Sequence, residues 1–158
     1  EEKLCNYYNV DNVIWLGDGI EGDDTDGHVD DITRFVNPDT VVTVVEKDKN
    51  DENYQPLQDN LKLLSKARLE NGKQLNIVEL PMPDAVIWED QRLPASYANF
   101  YIANNAVILP LYNCKQDQEA IDILSKLFTD RKVVGIDSTD IIWGLGSFHC
   151  LSQQEPLL

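Results

Sequence analysis

The chain has 158 residues, 42% apolar and 26% charged, a globular composition long enough for one domain with a hydrophobic core. Its 28 acidic and 13 basic residues give a net charge of −15, a field that repels nucleic acid and anionic lipid and attracts cations. Nucleic acid and membrane surfaces are thereby excluded as partners, and most of the acids are read as a solvating surface.

In chain order, Glu1-Glu2-Lys3-Leu4-Cys5 lacks the basic-then-apolar pattern of a signal peptide, and no apolar run approaches the ~20 residues that cross a bilayer. Glu1 is not an initiator, so further sequence is expected upstream. Residues 4–8 read as the end of a helix, residues 13–16 (Val-Ile-Trp-Leu) as a short strand, and residues 17–27 as a Gly/Asp-rich loop. Two β-branched runs, 32–36 and 40–45, flank Asn37-Pro38-Asp39 and predict a hairpin. Leu57, Leu61, Leu64 and Leu69 recur near helical spacing, predicting a helix over 55–71 stopped by Asn71-Gly72. Residues 76–80 form the next strand, ended by Pro81 and Pro83. The order then repeats: strands at 97–103 and 106–111 joined by Asn104-Asn105, a helix over 117–128, and a strand at 132–136. The chain thus reads as two strand-strand-helix-strand units, with a partial third at 141–153. Such units bury both faces only by stacking.

The chemistry concentrates near both ends. The run Thr25-Asp26-Gly27-His28-Val29-Asp30 supplies an imidazole and a carboxylate, which an extended segment places on one face. The run Gly144-Leu145-Gly146-Ser147-Phe148-His149-Cys150 supplies a thiol after two glycines that permit close backbone approach. Together they suggest a covalent hydrolytic site, weighed against an inert buried cysteine and a satisfied loop histidine. Aligned as a calcium loop on Gly27, the acidic segment puts Gly22 at the first ligand position and Thr33 where a bidentate Glu is needed, so it fails at both ends. A metal held by His28, Asp30, His149 and Cys150 is disfavoured, since His149 and Cys150 would point to opposite faces of a strand; His149 reads as a packing or supporting residue. Cys5, Cys114 and Cys150 form an odd, sparse set without metal-ligand spacing, fitting free thiols in a reducing, cytoplasmic setting. Trp15, Trp88 and Trp143 read as core or pocket wall.

Three stretches carry a family resemblance: 15–36, with Trp15-Leu16-Gly17-Asp18-Gly19, the 24–30 run and Arg34-Phe35-Val36; 93–104, Leu-Pro-Ala-Ser-Tyr-Ala-Asn-Phe-Tyr-Ile-Ala-Asn; and 148–156, Phe-His-Cys-Leu-Ser-Gln-Gln-Glu-Pro. Over nearly the whole chain these resemble the agmatine deiminases, a family that also includes bacterial peptidylarginine deiminases and belongs to the guanidino-group-modifying enzymes. The resemblance implies an α/β fold of the pentein type, a five-bladed β/α propeller. The chain would hold a blade remnant (1–29), blades at 30–80 and 97–137, and a closing segment (138–158). It further implies Cys150 as nucleophile on the guanidinium carbon, His28 as general acid/base, and Asp30 as the carboxylate that holds the guanidinium nitrogens. Asn99 and Asp26 would help bind substrate, with no metal or cofactor.

The implied substrate is a small cationic guanidino compound, agmatine above all, converted to N-carbamoylputrescine and ammonia. The alternatives are deimination of peptidyl-arginine to citrulline, or a non-enzymatic binding or assembly module. The family's N-terminal half, with a second guanidinium-binding carboxylate, is not represented here, and the residues before Phe148 are less glycine-rich than usual. With only part of the ring present, exposed edges would call for self-association or pairing with that other half.

Overall fold

The computed structural model describes residues 1–24 and 27–155. A short helix, α1 (Glu2–Tyr8), stops at Asn9 in the left-handed conformation and leads into an irregular run to His28. Residues 13–16, expected as a strand, pair with nothing regular; Ile14 and Leu16 instead pack against Val41, Leu64 and Leu75. The predicted hairpin is present as antiparallel β1 (Thr33–Asn37) and β2 (Thr40–Val45). Every residue of β2 is buried, as a β-branched run between two neighbouring strands should be.

The next helix, α2 (Tyr54–Lys66), turns Leu57, Asn60 and Leu64 inward and tolerates Pro56 in its first turn. It ends five residues before its expected limit of 71, because the chain extends at Ala67 and folds back through an Arg68–Gln74 bridge. Gly72, at φ +77°, therefore closes a tight turn rather than capping the helix. Strand β3 (Asn76–Pro81) runs parallel to β2 and carries Pro81 opposite Val45. The sheet order β1-β2-β3 makes β3 an edge, where a residue without an N–H is allowed. A small hairpin, β4 (Ile87–Trp88) and β5 (Gln91–Arg92), has Glu89 and Asp90 both at positive φ, a turn whose usual Asn-Gly signal is missing from the sequence.

The second unit is β6 (Tyr101–Ile102), β7 (Ala106–Leu111), α3 (Gln116–Leu127) and β8 (Lys132–Asp137). It has the same antiparallel-then-parallel pairing as the first, in the order β6-β7-β8. The expected strand at 97–103 shrinks to two residues because 95–100 is a wholly buried, turning segment. Asn104-Asn105 makes the turn before β7 without positive φ. No third unit follows: among the described residues, 138–155 hold only a 3-10 helix (Ile141–Gly144) and a turn.

The fold is thus mixed α/β, with open three-stranded sheets. Helix α3 packs on both β8 and β3, and one core joins Ile32, Val44 and Leu80 of the first unit to Tyr97, Leu109 and Leu124 of the second. No described helix is long and apolar enough to cross a membrane. Of the tryptophans, Trp15 does form pocket wall, beside Ile14 and Leu63, and donates to Glu1 at 2.7 Å. Trp88 and Trp143 are exposed and cover one another with ring centroids 3.5 Å apart.

Candidate active site

Residues 29–31 form one 3-10 turn rather than the start of a strand, with His28 as its extended N-cap. Such a turn rotates successive side chains by about 120°, so His28 and Asp30 do not share a face as expected. His28 turns to Asp23: its backbone N–H and its Nδ1, at 3.3 Å, both meet that carboxylate. The Asp23 side chain is 3% exposed and the His28 ring 48%. Asp30 points the other way, toward the C-terminal turn, while Asp31 points into the core and is 1% exposed. Asp26 lies outside the described residues.

Residues 147–151 are also a turn, with Leu151 N–H donating to Ser147 and Ser152 N–H to His149. The expected divergence of His149 and Cys150 therefore does not occur. Both converge on Asp30 Oδ2, His149 Nδ1 at 2.6 Å and Cys150 Sγ at 3.2 Å. Leu145 enters the turn at φ +60°. A Cβ on Gly146 would lie 2.6 Å from Cys150 Cβ and 2.9 Å from its sulfur, so only glycine leaves the thiol in place.

Asn99 joins the two turns. Its Oδ1 accepts from the backbone N–H groups of Ser147 (3.0 Å) and Cys150 (3.2 Å), and its carbonyl accepts from His149 N–H. Its Nδ2 lies 3.0 Å from Asp30, 2.8 Å from Asp31 and 3.0 Å from Cys150 Sγ. Asn99, expected to help bind substrate, thus has both ends of its amide on protein groups and braces the two turns. Its amide also stands among the ligand atoms of Asp30, Asp31 and Cys150, which lie within 4.8 Å of one another. A metal ion there would have to displace that donor, so this cluster suits hydrogen bonding better than coordination. His28 falls in a separate cluster with Asp23 and Asp24.

Ser147 is buried and its Oγ lies 3.1 Å from Tyr112 Oη, which ties the thiol's turn to the end of β7. Arg34 on β1 donates through Nη1 to the carbonyls of Ala98 (3.2 Å) and Phe100 (2.9 Å), which pins the segment carrying Asn99.

The electrostatics follow from these contacts. Partial burial opposes the charge on Asp30, but hydrogen bonds from His149 and Cys150, with the imidazole's charge, hold the carboxyl below its usual range. Partial burial pushes the Cys150 thiol up to about 11; the Asn99 bond opposes this, and the carboxyls of Asp30 and Asp31 add to it. A cation entering beside Asp30 would offset those carboxyls and favour the thiolate. An apolar cleft of about 470 Å³, lined in part by Ile14, Val29, Arg34 and Phe35, opens beside Asp30 and His149.

Asp23, Asp31 and Tyr112 are not singled out by the sequence motifs, whereas Gly146 is, as one of the two glycines that permit close backbone approach. Asp31 adjoins Asp30 and Gly146 precedes the thiol, but nothing in the spacing tells which neighbour faces the core.

The arrangement is that of a thiol held against a carboxylate and an imidazole in a mixed α/β scaffold. The profile of the Porphyromonas-type peptidyl-arginine deiminase family matches residues 1–156, and the chain belongs to that family. It is 36% identical over 173 aligned positions to an Enterococcus faecalis protein provisionally named an agmatine deiminase, covering 99% of this chain and 47% of that one. The solved structure of an agmatine deiminase of Enterococcus faecalis superposes with a TM-score of 0.92 at 34% identity, over 98% of this chain and 46% of the other. A Cys→Ser variant of Campylobacter jejuni agmatine deiminase, solved with substrate bound, gives a TM-score of 0.86 at 37% identity, over 94% and 43%. The chain thus spans about half the length of the relatives it matches.

Proposed function

We propose that this chain carries the nucleophile side of a guanidine deiminase whose substrate is agmatine, converted with water to N-carbamoylputrescine and ammonia. The observation that carries the reading is the convergence of Cys150 Sγ and His149 on one oxygen of Asp30. A guanidinium is planar and cationic and presents paired N–H donors, so a carboxylate can orient it with its carbon before the sulfur. Sulfur then bonds to that carbon, its proton passes to the departing nitrogen, and ammonia leaves, giving a thiouronium cation. Water adds to the same carbon and the C–S bond breaks; of the two protons water gives up, one restores the thiol and the other makes the ammonia ammonium.

His28 is assigned the proton transfers, its Nδ1 oriented by Asp23 so that Nε2 exchanges them. His149 is assigned to holding Asp30. Substrate contacts from Asp26 and Asn99 remain part of the proposal, Asn99 standing beside the Cys150 sulfur. No metal or cofactor enters the scheme. The two units are read as two blades of a five-bladed propeller, working in a reducing cytoplasm. Exposed Val29, Phe35 and Tyr8 border an apolar cavity of about 790 Å³ and favour association with a second copy or with the family's other half.

The test is ammonia release from agmatine by the full polypeptide that carries this chain. Turnover that survives Cys150→Ala sinks the reading. Two other readings are kept because specific observations favour them. The matched family is described by peptidyl-arginine, so citrulline formation in an arginine peptide is the parallel assay. The half-length match favours a binding or assembly module, which gains if agmatine binds tightly without turnover.

A further inference from the structure

Asp31 is a buried acid that the scheme above does not use. Its main-chain oxygen accepts from Ser96 Oγ at 2.7 Å, which fixes the residue. Its Oδ1 accepts from Asn99 at 2.8 Å, while Oδ2 is buried with no hydrogen-bond partner among the described residues. Through the one Asn99 nitrogen, Asp31 is two hydrogen bonds from Asp30 and from the Cys150 sulfur. We propose that Asp31 is a positioning residue of the site, a buried carboxyl that holds the Asn99 amide against Cys150 and exchanges its proton for the positive charge of a guanidinium arriving beside Asp30.

The inference rests on the guanidine reading of the site. Two adjacent carboxyls in a poorly solvated place cannot both stay charged without a counter-charge. The groups acting on Asp31 are Asp30 in its own turn, Asp23 from the acidic loop and Arg34 from β1. Cys150 and Tyr112 feel its charge in return. Arg34 is the cation of this set, but its Nη1 is committed to two carbonyls. Burial first, then Asp30, raises the Asp31 carboxyl to about 7, so near neutrality the empty site holds a proton part of the time. A bound cation favours the carboxylate and expels that proton. A neutral, protonated Asp31 in the empty site spares the thiol one further negative neighbour, and an ionised one strengthens the hold on the substrate.

The experiment uses the full polypeptide with carbon-13 in its aspartate carboxyls, in a Cys150→Ser background where agmatine is not consumed. Asp31 should titrate near pH 7 alone and at least about one unit lower with saturating agmatine; titration in the ordinary carboxylate range overturns the proposal. A second measurement follows iodoacetamide alkylation of Cys150 against pH by peptide mass. Asp31→Asn should move the profile to lower pH and Asp31→Glu should restore it; superimposable profiles overturn the role, whereas a purely structural residue would change amplitude only. Failure of agmatine to slow alkylation of Cys150 sinks the guanidine reading and the proton exchange with it. An ordinary Asp31 titration alongside normal protection by agmatine sinks the Asp31 role alone.

Discussion

His28 and His149 each face an aspartate, but the two pairs are assembled by different means. His28 and Asp23 are five residues apart in one loop, whereas His149 and Asp30 are 119 apart and meet only when both turns are in place. In the first pair the acid is buried and the ring half exposed, an arrangement that orients an imidazole for exchange with something in solution or in a cleft. In the second the acid is also bonded to the thiol, so the imidazole serves the carboxylate. One carboxylate thus orients a histidine, and one histidine helps hold a carboxyl below its usual range.

The comparison breaks most sharply at the sulfur. Cys150→Ala should reduce ammonia release to background while leaving both imidazole pairs intact, as a coupled ammonia assay with circular dichroism would check. Next is the contrast between the acids. Asp30→Asn should cost about 10³-fold or more in kcat/KM through lost orientation, and Asp23→Asn about 10 to 10²-fold through a misdirected His28. Equal losses would mean that the pairs are not specialised. Third, His28→Ala should lower kcat by about 10² to 10⁴ with KM little changed, and His149→Ala should mainly raise KM. The reverse pattern would exchange the roles of the two rings.

The last contrast concerns stability, not rate. The folded Asp31 carboxyl lies above its unfolded value of 3.8, at about 7, so its contribution is fully present below pH 4 and is lost as pH rises through about 7. Asp31→Asn should therefore make the chain less sensitive to alkaline pH, relatively stabilising it at pH 8 by up to about 4 kcal/mol, less whatever the Asn99 contact contributes. Urea melts of both proteins at pH 5 and pH 8 would show this, and identical pH dependence would count against it.

Much of this arrangement was legible in the residues. The hairpin, the two longer helices and the strand after each follow from β-branched runs and helical spacing, and the repeat of the pattern lies in the sequence; that those last strands pair in parallel does not. What was not legible is where the chain turns without a turn signal. Glu89-Asp90 adopts positive φ without glycine, and residues 95–100 are apolar enough for a strand yet curl so that Asn99 faces both turns. The same cause underlies the site. Cys150, His28 and Asp30 stand out in the motifs as candidates, but whether neighbours share a face depends on backbone dihedrals, and both motifs are turns rather than strands. Hence His28 parts from Asp30, and His149 joins it.

Helix α3, lodged against a strand of each unit, gives the site a mechanical sensitivity. Asp30 rides on the run into the first unit and Cys150 follows the second, so a shift of one unit over the other would be felt at the 3.2 Å gap between them unless Asn99 takes it up. Because misplacement by about 1 Å can cost two orders of magnitude in rate, the sulfur–oxygen gap works as a strain gauge for the distant seam. Enlarging buried Ala120 on α3 should register in turnover well before it registers in melting temperature.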